Sequence, residues 1–252
     1  MAVSPSLIAE AVGWRREFHA APELGYQEQE TSRRVAELLA SFGLQVHRGL
    51  AGTGVVATLE NGPGPVIGLR ADMDALPIHE TTDLPWASTV PGKMHACGHD
   101  GHTTILLAAA KYIASPACQF NGTVHLIFQP AEEAIGGADL MIKDGLFEQF
   151  PCERIFSLHN MPGLPVGKLG FYAGNFMASA DTVKITITGY GGHGAHPERT
   201  VDPIVAGAAL VMALQSIVAR NVPPGETAVV SVGTFQAGIA SNVIPESVVM
   251  EL

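Results

Sequence analysis

Apolar positions along the chain fall first into a helical rhythm and then into short β-branched runs. Over residues 6–19, Leu7, Ile8, Val12, Trp14 and Phe18 recur near helical spacing, and Pro22 closes the segment. A second helix is predicted over 28–42, with Val35, Leu38, Leu39 and Phe42 on one face and Gly43 as its stop. Residues 55–59 and 66–69 are apolar runs bounded by Gly and Pro, the pattern of buried strands. A helix over 103–114, a strand over 123–128 stopped by Pro130, a helix over 138–144 and a strand over 155–158 come after them. Strands alternating with helices predict an α/β fold, a mostly parallel sheet flanked by helices.

From about residue 178 the rhythm changes. Residues 182–188 alternate strictly, Val183, Ile185 and Ile187 against Thr182, Lys184, Thr186 and Thr188, which predicts a half-buried strand of an antiparallel sheet. A Gly-rich turn with His193 and His196, an apolar helix over 204–219, an alternating run over 227–235 and a final strand over 247–252 come next. The prediction is a larger domain over 1–177 and a smaller α+β domain over 178–252, with the small-residue stretch 173–180 as hinge. The helix over 204–219 is read as buried, being short for a bilayer and interrupted by Gln215 and Ser216. The last strand is expected to lack a return partner, so that a second copy completes the domain or the polypeptide is a piece of something longer.

Composition narrows the function classes. With 252 residues, 15% charged and 47% hydrophobic, the chain suits a folded protein with a sizeable core. A net charge of −10 points away from nucleic acid and anionic membranes and toward small molecules. Cys97, Cys118 and Cys152 are too sparse for a disulfide framework, and the first residues lack a basic segment followed by an apolar core, so the expectation is a cytoplasmic protein without a signal peptide.

The densest chemistry lies at His95, Cys97, His99, Asp100 and His102. Cys97 and His99 flank Gly98, and on a looped backbone both can reach one ion; thiolate and imidazole suit intermediate divalent metals. The plainer alternative is a polar loop capping the helix after it. Asp72 and Asp74, Glu132 and Glu133, and His159 each fall just past a predicted strand, where open α/β sheets hold their ligands. Each alone is more often structural, but together they argue for one site. Cys97 as the nucleophile of a Cys–His hydrolase is the weaker alternative, because the nearest histidines are too close in sequence to be its usual partner.

Six segments carry a family resemblance in order. They are Trp14-Arg15-Arg16-Glu17-Phe18-His19 with Pro22-Glu23-Leu24-Gly25; Leu69-Arg70-Ala71-Asp72-Met73-Asp74-Ala75-Leu76-Pro77; His95-Ala96-Cys97-Gly98-His99-Asp100; Gln129-Pro130-Ala131-Glu132-Glu133; Leu158-His159-Asn160; and Gly191-Gly192-His193 with Asn242-Val243-Ile244-Pro245. Together they resemble the metal-dependent aminoacylase and carboxypeptidase family, in its branch of hippurate hydrolases, N-acyl-amino-acid amidohydrolases and auxin-conjugate (IAA-amino acid) hydrolases. The resemblance covers essentially the whole chain.

It implies a zinc-peptidase-like catalytic domain with a dinuclear metal site, and an inserted lid domain through which the protein forms a homodimer. By motif position Cys97 bridges the two ions, and His99, Glu133 and His159 are terminal ligands. Glu132 is then the general base, its side chain diverging from that of Glu133 on an extended segment. Asp74 orients a ligand histidine, and His193, reaching over from a partner subunit, binds substrate together with Asn242. The implied cofactors are two divalent ions, Mn or Zn, with Co or Ni also compatible. The implied reaction is hydrolysis of a hippurate-like N-acyl amino acid to a carboxylate and an amino acid by a water activated at the two metals. Relatives are expected to continue beyond this sequence and to supply a further histidine ligand. A truncated or non-catalytic homologue that binds metal and dimerises through the lid is therefore the alternative. His196 matches no role, and His19, His47, His79, His95, His102 and His125 receive none.

Overall fold

Ser4 accepts a hydrogen bond from the Leu7 amide (3.2 Å) and Pro5 takes the first helical turn, so α1 (Pro5–Ala20) starts where its leading amides have partners. The structure, a computed structural model, describes residues 3–133, 136–174 and 177–252; Asn175 and Phe176 of the expected hinge lie outside the described residues. The chain divides into two compact units, Met1–Val166 and Gly167–Leu252.

In the first unit α1 is followed by α2 (Gln29–Ser41), β1 (Gln45–Leu50), β2 (Gly54–Asn61), β3 (Val66–Asp72), α3 (His99–Ile113), β4 (Gly122–Gln129), α4 (Gly137–Lys143), α5 (Leu146–Gln149) and β5 (Arg154–Ser157). The sheet order is β1-β2-β4-β3-β5. β3 pairs parallel with β4 and β5, whereas β1–β2 and β2–β4 are antiparallel, so the sheet is mixed where a mostly parallel one was expected. The cause is local: residues 51–53 are too short a link for a crossover, and Ala51 and Gly52, both at positive φ, close a hairpin. β1 itself escapes the hydrophobic pattern, because Gln45, His47 and Arg48 occupy an edge strand of which Leu50 is the buried residue.

Helices cover both faces. Trp14, Phe18, Val35, Leu39 and Leu107 pack on Val55, Ala57, Leu126 and Phe128, and a smaller cluster of Leu50, Val56, Ile127, Met141 and Leu146 fills the other side. Each such side chain contributes ~1.5–3 kcal/mol relative to exposure, which accounts for the near-continuous apolar run of β2 and β4. For the site, the parallel pairing matters most. It sets Asp72 opposite Gln129, so the residues immediately after β3 and β4 emerge at the same sheet edge.

The second unit contains β6 (Lys184–Thr188), β7 (Gly192–His193), a 3-10 turn at Pro197–Arg199, α6 (Pro203–Asn221), β8 (Thr234–Ala237), β9 (Val243–Ile244) and β10 (Ser247–Glu251). The expected strand over 227–235 shrinks to β8. β10 is the middle strand of an antiparallel β6-β10-β8 sheet, with Val248 and Met250 buried, so the last strand has a partner on each side. α6 corrects the expectation of a buried helix: of its residues Pro203 and Gly207 are buried. It spans 19 residues at mean hydropathy 1.6, long and apolar enough by composition to cross a membrane. Its Gly207 face packs closely on Phe235 and Val248, and a three-stranded sheet covers only one side of it.

Candidate metal centre

α3 starts four residues before its predicted position, and this early start builds the site. Gly98 takes a left-handed conformation (φ 91°) that an L side chain rarely adopts, and a Cβ there would lie 2.5 Å from Asn160 Oδ1. Glycine therefore lets the end of the β5 segment cross over the start of α3. His99 becomes the first residue of that helix, and His102 lies on the same face three residues later.

His99 is fully enclosed, and its Nε2 has no hydrogen-bond partner among the described residues. Around that nitrogen lie Glu132 Oε2 at 3.9 Å, Glu133 Oε1 at 3.8 Å and Asp72 Oδ2 at 3.8 Å. On its other side Nδ1 is 3.3 Å from Asp74 Oδ1. Cys97 Sγ lies 3.4 Å from His159 Nε2, and the His159 Nδ1–H donates to the Asn160 carbonyl (2.7 Å), which leaves Nε2 free to ligate. Ligand atoms of Cys97, His99 and His159 lie within 4.8 Å of one another, as do those of His99, Glu132 and Glu133.

The electrostatics suit a cation. Burial works against protonation of His99, yet the Asp74 carboxylate beside Nδ1 and the charges of Asp72 and Glu133 outweigh it and raise its pKa. Burial and the neighbouring Glu133 carboxylate raise Glu132, whereas Asp74 is lowered, because His99 and the Glu132 and Glu133 amides overcome its desolvation. A buried, unpartnered imidazole nitrogen facing carboxylates and a thiol is a donor set that fits divalent ions of the zinc type.

The sequence left His102 without a role and Asp72 without its partner. Asp72 Oδ1 accepts from His102 Nδ1–H (2.6 Å), and the Asn160 amide donates to His102 Nε2 (3.0 Å). The His102 ring lies 4.5 Å from that of His159, centroid to centroid, so this pair supports the ligand loop from beneath. Burial tends to raise Asp72, but the His102 bond and the charges of His99 and Arg70 hold its carboxyl down to about 2. The spacing of His99 and His102 on one helix was the available signal.

The glutamate pair also differs from expectation. Pro130 ends β4, Ala131 turns left-handed (φ 51°), and the two carboxylates converge on one nitrogen rather than diverging from an extended segment. Asp74 Oδ2 accepts the Glu133 amide (2.9 Å), tying this bend to His99. His193 and Asn242 lie in the second unit, where the Gly194 amide donates to the Asn242 carbonyl (2.8 Å) beside the β7–β9 pairing.

Residues 68–250 match the description of peptidase family M20/M25/M40. Among curated relatives, a hippurate hydrolase of Campylobacter jejuni is 52% identical over 92% of this chain and 60% of that protein. An N-acyl-L-amino acid amidohydrolase of Geobacillus stearothermophilus is 43% identical over 95% of this chain and 65% of that one. Among solved structures, the Bacillus subtilis YXEP protein, described as a dinuclear metal binding peptidase of the M20 family, superposes with a TM-score of 0.71 at 37% identity, over 98% of this chain and 64% of that one. The chain thus spans about 60% of the length of the curated relatives it matches.

Proposed function

The chain belongs to peptidase family M20/M25/M40, and from that premise we propose that it carries the metal-binding half of an amidohydrolase acting on N-acyl amino acids of the hippurate kind. The observation that carries the reading is that two groups meet at the buried His99, Cys97 with His159 and Glu132 with Glu133, and that His99 Nε2 has no hydrogen-bond partner among the described residues. Cys97, His99, Glu133 and His159 would hold the divalent ions the reaction needs. When bound, the ions supply positive charge that acidifies a water and polarises the scissile carbonyl. Every proton movement then belongs to Glu132. Its carboxylate, whose pKa burial and Glu133 raise, takes the proton of the attacking water and passes it to the departing amine nitrogen. Asp74 fixes His99 through Nδ1, which orients Nε2 inward, and the Asp72–His102 pair braces the loop that bears His159. His193 and Asn242 are assigned to substrate, His193 to the oxyanion and Asn242 to holding the acyl amino acid, on the strength of their motifs.

We place the protein in the cytoplasm on its three free cysteines, and assign a homodimer formed through the second unit on the exposed apolar side chains of α6. The ligand set suits Mn²⁺ or Zn²⁺. The test is release of free amino acid from hippurate and a panel of N-acyl amino acids by the folded protein loaded with Mn²⁺ or Zn²⁺. Metal-dependent release that a chelator abolishes supports the assignment. Absence of release by folded, metal-loaded protein contradicts it and favours a non-catalytic metal-binding module.

A further inference from the structure

Glu28 is a fully buried carboxylate in the first unit with no part in the proposed chemistry. It sits at the start of α2, far in sequence from the site, and burial raises its pKa. Such a group is kept only where its acceptors are used. Its Oε2 accepts from the Thr53 hydroxyl (2.8 Å), and its Oε1 accepts from the backbone amide of Ala131 (2.8 Å).

Ala131 is the residue before the glutamate pair, is fully buried, and has a left-handed backbone (φ 51°) that alanine adopts only under constraint. That conformation turns the chain after Pro130, so that Glu132 and Glu133 both face His99 instead of alternating across a strand. Gly137 closes on the same backbone: its amide donates to the Ala131 carbonyl (3.3 Å), and a Cβ there would fall 1.9 Å from the Pro130 carbonyl oxygen. We propose that Glu28 is a positioning residue: its carboxylate holds Ala131 in the left-handed conformation and thereby sets where the Glu132 and Glu133 carboxylates arrive. The inference rests on the reading of Glu132 as base and Glu133 as ligand.

Two substitutions separate reach from charge. Glu28→Gln keeps the length and an acceptor oxygen for the Ala131 amide while losing the charge; Glu28→Asp keeps the charge and loses the reach. In metal-free protein, hydrogen–deuterium exchange of the peptide ending the β4 strand should accelerate ~10-fold or more in Glu28→Asp and stay within ~3-fold of wild type in Glu28→Gln. Calorimetric Co²⁺ affinity should keep the same order, weakened ~10-fold in Glu28→Asp and retained in Glu28→Gln. If Glu28→Asp does not fold, adding Ala131→Gly, which removes the strain that the carboxylate offsets, should restore folding and protection of the bend. Exchange in Glu28→Asp equal to wild type, Glu28→Gln as fast as Glu28→Asp, equal Co²⁺ affinity in both, or no recovery with Ala131→Gly overturns the proposal. Wild-type protein that binds no Co²⁺ while the exchange pattern holds overturns the metal-site reading and leaves the clamp standing.

Discussion

Glu132 and Glu133 are adjacent carboxylates at nearly equal distances from one histidine nitrogen, so their division of labour rests on environment. Glu132 is the more exposed of the two, 42% against 25%, and burial together with the Glu133 charge raises its pKa, which suits a proton carrier more than a ligand. Replacing Glu132 with Gln should lower turnover by roughly 10² to 10⁴ while elemental analysis finds the metal content intact. A parallel loss of metal would mean that the two glutamates have exchanged roles. At this scale the sequence was most legible where chemistry is concentrated in short segments: Cys97 and His159 meet at His99, and so do Glu132 and Glu133. It was least legible where a contact joins distant residues. Nothing near Glu28 announces its bond to Ala131, and Asp72 was noted at its strand end without the His102 that explains it.

The elements supply the positions, and two of their details are testable. The start of α3 depends on Gly98, whose left-handed backbone and closeness to Asn160 leave no room for a side chain. Gly98→Ala should cost ~1–3 kcal/mol in chemical denaturation and weaken metal binding, since His99 and Asn160 must then separate; unchanged stability would contradict the packing. The loop between β3 and α3 is pinned to α1 by Glu80, which accepts the Ser88 amide (2.6 Å) and the Thr82 hydroxyl and lies 3.2 Å from His19 Nε2. Burial acts to raise Glu80, but these partners prevail and hold it at about 2 against an ordinary 4.5. A carboxylate depressed in the fold contributes stability that is complete above pH ~4.5 and is lost as pH falls toward ~2. Glu80→Gln should flatten the fall of the melting temperature across that window, and an identical acid limb would exclude the contribution. Long periodic helices and buried strands were readable in the sequence. β1 was not, because an edge strand buries too little to impose a period, and the mixed sheet was not, because strand direction is set by the short link at residues 51–53 rather than by side-chain pattern.

For the whole molecule, the α/β class, a second α+β unit and the two partners of its last strand come from topology that alternation only partly reveals, since β10 takes its neighbours from both earlier strands. The exposed Val205 and Met212, seven residues apart on α6, share an apolar strip of the second unit, on which the proposed homodimer rests. Sedimentation should return twice the 26.4 kDa of the chain, and a monomer at micromolar concentration would remove the dimer from the account.

The proposed metal centre stands or falls on Cys97, the thiol among its four ligand candidates. In the metal-free protein burial, a hydrogen bond to Glu133 and the charges of Glu133, Glu132 and Asp72 push the Cys97 thiol up to about 12, so metal uptake at neutral pH must expel its proton, and affinity should rise with pH. The most direct measurement is a Co²⁺ titration of metal-free protein, followed by absorption and by calorimetry in buffers of different ionisation enthalpy. A saturable thiolate-to-cobalt charge-transfer band is expected, absent in Cys97→Ala, with at least one proton released per chain. Tight binding with no such band, or with the same spectrum in Cys97→Ala, would contradict it.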